Sequence, residues 1–178
     1  MDKNQLIKQI LADDQTAFCD MMRTYGERLY RIIYRMVMDS HYAEDILQET
    51  FVAAHLNMKK FRQDSSLFTW LSAIAYNKAL THVKHKRLNK WLSLDVTAFV
   101  VNSAPAGQAE KKELKQVLEN AMLKLPVDLR MVITLYEIEH LDHKTIAEIM
   151  DCPIGTVWSD LSRAKAELRK LLKDFSYE

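Results

Sequence analysis

The residues best placed to do chemistry run from Thr145 to Val157, in the order Thr145-Ile146-Ala147-Glu148-Ile149-Met150-Asp151-Cys152-Pro153-Ile154-Gly155-Thr156-Val157. A short helix with a small residue at Ala147, a tight turn and a second helix opened by Pro-x-Gly-Thr-Val read as a helix-turn-helix, whose second helix normally lies in the major groove of DNA. An ordinary helical hairpin has the same outline, and a helix-turn-helix alone leaves many regulator families open. A second feature points to the same class of partner. Between Asp64 and Asp95 there is no acidic residue, while Lys78, Lys84, Lys86, Arg87 and Lys90 fall in that window. A block of one sign tracks phosphates. The implied chemistry is recognition, by charge and hydrogen bonding, rather than the making or breaking of bonds.

Bond-making chemistry finds no support. The sequence has no Gly-rich phosphate loop, no HExxH and no nucleophile with a base at a recognisable spacing, so no catalytic residue and no enzyme activity is expected. Cys19 and Cys152 belong to no CxxC or Cys/His spacing and are read as small buried hydrophobes. His41, His55, His140 and His143 read as surface residues, and His82 and His85 as part of the basic face. No metal and no cofactor is expected. The N-terminus leads into a mixed polar helix, and no uncharged stretch of about 18 residues occurs, which predicts a cytoplasmic protein without a membrane partner.

The elements that must position these groups are helices. Of 178 residues, 48% are apolar, enough to bury a core, and with three Gly and three Pro the punctuation of a many-stranded β protein is missing. From Gln5 to about Trp91 apolar residues recur at helical spacing, as in Leu29, Ile32, Ile33, Met36, Val37 and in Leu71, Ile74, Ala75. Asp39-Ser40 and Asp64-Ser65-Ser66 supply helix-capping side chains. From Leu92 to Gly107 the helical period is lost, and this stretch reads as a linker whose Phe99-Val100-Val101 run is apolar enough to dock somewhere. Helices then follow over 112–124, 127–139, 144–150 and 154–174, with Pro126 and Pro153 at first positions. The expected fold is all-α: two small helical domains, 1–91 and 110–178, joined by a flexible linker over 92–109. Net charge is only +1, and from Glu110 onward 11 basic face 13 acidic side chains, a balance of −2.

On these motifs the chain resembles the extracytoplasmic-function sigma factors of the sigma-70 family, sigma-E in particular. Leu125-Pro126-Val127-Asp128-Leu129-Arg130 through Ser159 and Arg163-Ala164-Lys165 is similar to region 4. Ala43-Glu44-Asp45-Ile46-Leu47-Gln48-Glu49-Thr50-Phe51 is similar to region 2.2. Phe61-Arg62, Asp64-Ser65-Ser66 and Phe68-Thr69-Trp70-Leu71-Ser72-Ala73-Ile74-Ala75-Tyr76-Asn77 are similar to region 2.3 passing into 2.4. The resemblance implies a chain that binds core RNA polymerase through the β′ clamp helices and the β flap, directs it to promoter DNA and helps to open the minus-ten element. It assigns Asp45, Leu47, Gln48, Glu49 and Phe51 to the polymerase; a solvated acidic face is the other reading of that helix. It assigns Arg62, Ser65, Ser66, Phe68, Trp70, Asn77, Lys78, Lys84 and Arg87 to minus-ten DNA, with Phe68 and Trp70 stacking on bases or filling the core. It assigns Lys144, Thr156, Trp158, Ser159, Arg163 and Lys165 to minus-thirty-five DNA. An anti-sigma factor is a common partner in the resembled family. The competing class is a helix-turn-helix regulator that never contacts polymerase, which would need no region 2 motif.

The sequence departs from this pattern at Tyr136, Trp158 and Asp160, positions where the resembled family carries basic side chains. A carboxylate shown to phosphates or to guanine repels where arginine gives a contact worth ~1–3 kcal/mol of discrimination. Two expectations follow. Either the domain reads the minus-thirty-five duplex weakly and an additional DNA-targeting protein, anchored on Trp158, brings the complex to its site, or the promoter motif is divergent.

Overall fold

The computed structural model describes the backbone of residues 3–12, 14–92 and 109–173, and side chains over 5–12, 14–86 and 116–173. The apolar Phe99-Val100-Val101 run lies outside the described residues, as does the linker expected over 92–109 apart from residues 92 and 109. Eight α-helices are described: α1 (Lys3–Leu11), α2 (Gln15–Val37), α3 (Ser40–Asn57), α4 (Leu67–Leu92), α5 (Ala109–Lys124), α6 (Val127–Ile133), α7 (His143–Met150) and α8 (Ile154–Lys173). A 3-10 turn over Met58–Lys60 follows α3, and α6 continues as a π-turn over Thr134–Ile138. No strand occurs among the described residues.

Local chemistry fixes most of the boundaries. Asp39 caps α3, its carboxylate accepting from the Tyr42 N–H at 3.2 Å, and the Ser66 hydroxyl caps α4 by accepting from the Thr69 N–H at 3.0 Å. Asp14 opens α2 by accepting from the Thr16 and Ala17 N–H groups. Asp142 opens α7 in the same way, at 2.9 Å from the Thr145 N–H. Pro126 and Pro153 stand one place earlier than expected, just ahead of the helices they introduce. There the fixed φ of proline sets the entry direction of the chain, and its missing N–H still costs nothing. Met38 closes α2 in the left-handed conformation, φ 54°, returning its N–H to the Tyr34 carbonyl.

The first domain is a bundle in which α2, α3 and α4 pack on one another and α1 lies across α2. Leu29, Ile32, Ile33 and Met36 of α2 meet Ile46 and Ala54 of α3 and Leu71 and Ala75 of α4, all buried. In the second domain α6 and α7 pack on α8 around Met131, Val132, Leu135, Ile146, Ile149 and Val157.

The two domains are packed together. α2 lies on α6, and α4 on α7, the first helix of the helix-turn-helix. Arg130 of α6, 6% exposed, holds the closure: its guanidinium donates to the Met36 carbonyl at 2.6 Å and the Arg35 carbonyl at 3.4 Å, at the end of α2. On its other side it donates to the Leu123 and Leu125 carbonyls at 3.2 and 3.1 Å, at the end of α5. The last carbonyls of a helix lack intrahelical partners and carry the negative end of its dipole, so a cation between two such ends answers both needs. Arg28 of α2 bonds Glu139 at 2.5 Å while lying 3.8 Å over the Phe68 ring, and the Tyr76 hydroxyl donates to Asp128 at 2.9 Å.

Two predictions follow from these contacts. Arg130→Leu strands buried carbonyls at two helix ends and should cost at least about 2 kcal/mol in urea unfolding, with Arg130→Lys recovering only part. Hydrogen bonds from the α7 backbone, that of Thr145 foremost, hold the Asp142 carboxyl below its ordinary value of 3.8. The contribution of this cap is therefore complete above that value and disappears as pH falls through the lower folded value. Asp142→Asn, which keeps an acceptor without the charge, should flatten this acid dependence in an unfolding series.

Candidate polymerase and promoter interfaces

On α3, Asp45, Gln48 and Glu49 are exposed together, and Leu47 is half-buried beside them. Phe51, expected to face a partner, is instead buried at 4% exposure in edge contact with Phe18, because it continues the Ala43, Ile46, Thr50, Ala54 stripe into the core. The aliphatic side chains of α3 that stand most in solvent are Val52, 60% exposed, and Leu56, 74% exposed. With Asp45, Gln48, Glu49, Ala53 and Lys78 they line one shallow depression. Val52 and Leu56 follow Gln48 at four-residue steps, so the sequence carried their signal as two apolar residues on a polar face. The depression thus offers an apolar floor with acceptors on its rim, while Lys78 bonds Glu49 across it at 2.9 Å.

The residues assigned to minus-ten DNA are placed differently from one another, and Lys78 is half-buried in its bond to Glu49. Arg62, Asn77 and Lys84 are exposed, and Ser65 is half-buried in the loop before α4. Ser66 reaches solvent, but its hydroxyl is engaged by the α4 cap and by the Thr69 hydroxyl at 2.8 Å. Of the two readings left open for Phe68, its geometry is that of a core residue and not of a base-stacking one: it is buried at 6% exposure beneath the Arg28 guanidinium. Trp70 is half-buried, its ring 5.1 Å from that of Phe61. The Arg87 side chain lies outside the described residues. His82 does not stand in the basic face, as its ring packs 4.2 Å from Tyr42. Burial, reinforced by Lys86, lowers its pKa.

In the second domain α7 and α8 form the expected helix-turn-helix. The turn passes through Asp151 at φ 49°, a left-handed position that Asp tolerates better than most side chains, and the Cys152 N–H returns to the Ala147 carbonyl at 3.1 Å. Lys144, Trp158 and Ser159 are exposed and Thr156 is half-buried. Arg163 reaches solvent but is bonded to Asp160, and Lys165 is bonded to Glu137 at 2.7 Å with its ammonium 5.0 Å from the Tyr136 ring centroid. Asp160 is the principal correction here. Its side chain is 8% exposed, turned inward with Val157, Leu161 and Ala164. The repulsion expected between this carboxylate and DNA does not arise in this geometry.

The cysteines also differ from expectation. Cys19 is exposed and Cys152 half-buried. Burial, followed by the negative field of Asp160, raises the Cys152 thiol above its ordinary range, which keeps it protonated and a poor nucleophile. Burial and the bond to Asp128 push the Tyr76 phenol well up, so it serves as a donor across the domain junction. Sequence reasoning missed Arg28, Glu139, Tyr76 and Arg130 as a set. Among the described residues no helix is long and apolar enough to cross a membrane.

Comparisons with known proteins bear on the family and the fold. Residues 21–88 match the family model for sigma-70 region 2, and residues 115–168 that for sigma-70 region 4. The chain is 34% identical to the ECF RNA polymerase sigma factor SigW of Bacillus subtilis, over 94% of this chain and 95% of that protein. It is also 34% identical to the ECF RNA polymerase sigma-E factor of Escherichia coli K12, over 90% and 88%. Among solved structures, the sigma factor RpoE of Bartonella quintana, in complex with the anti-sigma factor NepR, aligns with a TM-score of 0.71 and 26% identity. That alignment covers 88% of this chain and 96% of RpoE. The fold is shared with CnrH, in complex with the cytosolic domain of CnrY, at a TM-score of 0.73 and 24% identity, over 98% and 99% of the two chains. With both sigma-70 regions matched in order and relatives similar along nearly its whole length, the chain belongs to the extracytoplasmic-function sigma factors of the sigma-70 family, the promoter-directing subunits of bacterial RNA polymerase.

Proposed function

We propose that the α3 depression is the seat of core polymerase, with Val52 and Leu56 as apolar anchors and Asp45, Gln48 and Glu49 as the polar rim. The observation that carries this reading is the exposure of two large apolar side chains in the middle of a charged helix face, at positions the domain core does not use. Phe51 acts behind them as support. Arg62, Ser65, Asn77 and Lys84 are the groups available to the minus-ten strand, Arg62 and Lys84 through its phosphates and Ser65 and Asn77 through base edges. All chemistry on RNA belongs to the polymerase, and the chain itself catalyses no reaction. It works in the cytoplasm, where its DNA partner is.

The packing of α7 on α4, with Tyr76 buried against Asp128, supports a further element of this reading. The closed arrangement is a resting state, and a DNA strand lying along α4 requires the second domain to move away. The RpoE structure holds the anti-sigma factor NepR, and a partner of that kind is proposed for this chain, acting by favouring closure. In the second domain the inward Asp160 removes the expected repulsion of DNA, one ground for weak reading of the duplex. A different minus-thirty-five motif, read by Trp158, Ser159 and Thr156, is therefore favoured over a separate DNA-targeting protein.

Run-off transcription on sheared genomic DNA, with core polymerase and with and without the chain, tests these assignments together. Starts that appear only with the chain and share two upstream elements are expected. Val52→Lys with Leu56→Lys should abolish them and weaken core binding at least tenfold while leaving the helix content intact. Full retention of core binding by that variant would remove the α3 assignment.

A further inference from the structure

The first two turns of α8 present an unusual surface for a DNA-reading helix. Ile154, Trp158 and Ser159 are exposed along it, with Ile154 at 43% and Trp158 at 58%, and no charged side chain stands among them. The one carboxylate of this stretch, Asp160, is folded inward. Gly155 lies between the two apolar residues with open space where a Cβ would stand, so the backbone can come close to a ligand there. The Trp158 indole is steadied at its base by edge contact with His143, at 6.1 Å between centroids.

Among the groups that base pairs offer in the major groove, only the 5-methyl of thymine is strongly apolar. Water is displaced from both surfaces when an apolar side chain meets it, and no hydrogen bond of either partner is lost. The surroundings suit a duplex rather than an apolar protein face. Lys144 and Arg163, the latter bonded to Asp160, are exposed beside the patch, where phosphates would run; the Ser162 hydroxyl can donate or accept at neighbouring base edges, and the Ser159 oxygen, whose hydrogen goes to the Thr156 carbonyl at 2.9 Å, can accept.

Resting on the reading of α8 as the minus-thirty-five recognition helix, we propose that Trp158, with Ile154, is a specificity-determining residue that selects thymine by its 5-methyl group. The preferred element then carries a thymine where basic recognition residues would select guanine. Selectivity at that position comes from apolar contact and is far less salt-dependent than the phosphate contacts around it.

The test uses holoenzyme assembled from core polymerase and the full chain, bound to a promoter taken from its mapped start sites. Each thymine of the upstream element is replaced singly by deoxyuridine, which removes the methyl group and nothing else. At one or two positions the wild-type holoenzyme should lose roughly fourfold in affinity, the effect of withdrawing one methyl from an apolar contact. Trp158→Ala should bind more weakly and no longer distinguish thymine from uracil there, while Trp158→Leu retains part of the distinction. Tolerance of deoxyuridine at every position, or discrimination that persists in Trp158→Ala, overturns the inference and leaves the sigma-factor assignments standing. DNA binding unchanged by Trp158→Ala also overturns it, and reassigns the tryptophan to a protein partner. Wild-type binding that stays unchanged when the whole upstream element is replaced by unrelated sequence overturns both this inference and the reading of α8 as a recognition helix.

Discussion

The closed form depends on one buried guanidinium. Arg130 stands where the carbonyl ends of α2 and α5 converge, and without it two sets of unpartnered acceptors and two negative helix ends would face each other in the interior. Its four carbonyl contacts tie the first domain to the second and fix the approach of α6 to α2. Everything else at the junction is then set in register: Glu139 comes under Arg28, Asp128 meets Tyr76, and α7 settles on α4.

That register matters because α4 carries residues proposed to meet the minus-ten strand and α7 is the first helix of the proposed promoter-reading helix-turn-helix. A guanidinium paired to carbonyls gains less than one paired to a carboxylate, and Arg28 remains 36% exposed in its bond to Glu139. Such contacts hold domains together without welding them, since water and ions can compete for the outer members. In the proposed function, opening exchanges these bonds and the packing of α7 on α4 for contacts with polymerase and promoter. The exposed apolar residues of α3 and α8 lie apart from the junction bonds, so they stay available in the closed state.

Much of this was legible in the sequence because it is local. The capping residues Asp39 and Ser66 and the apolar period placed the helices, and the turn at Asp151-Cys152-Pro153 placed the helix-turn-helix. The misplaced side chains had a local signal too. Phe51 and Asp160 sit on the apolar stripes of their helices, Asp160 three residues after Val157 and next to Leu161, and such a position points inward whatever the side chain. The closure was not legible. Arg28 and Glu139 are separated by 111 residues and Arg130 and Met36 by 94, and no periodicity records a pairing at that range. A buried arginine reads in sequence like any surface arginine until the helix ends around it are known.

Energy transfer between dyes on cysteines placed at Lys59 and Lys170, exposed positions in the two domains, tests the central claim that the resting chain is closed and that polymerase opens it. Cys19 and Cys152 are first replaced by serine. High transfer in the free chain, falling when core polymerase is added, is the predicted result. Low transfer in the free chain, or high transfer that core polymerase leaves unchanged, contradicts the account.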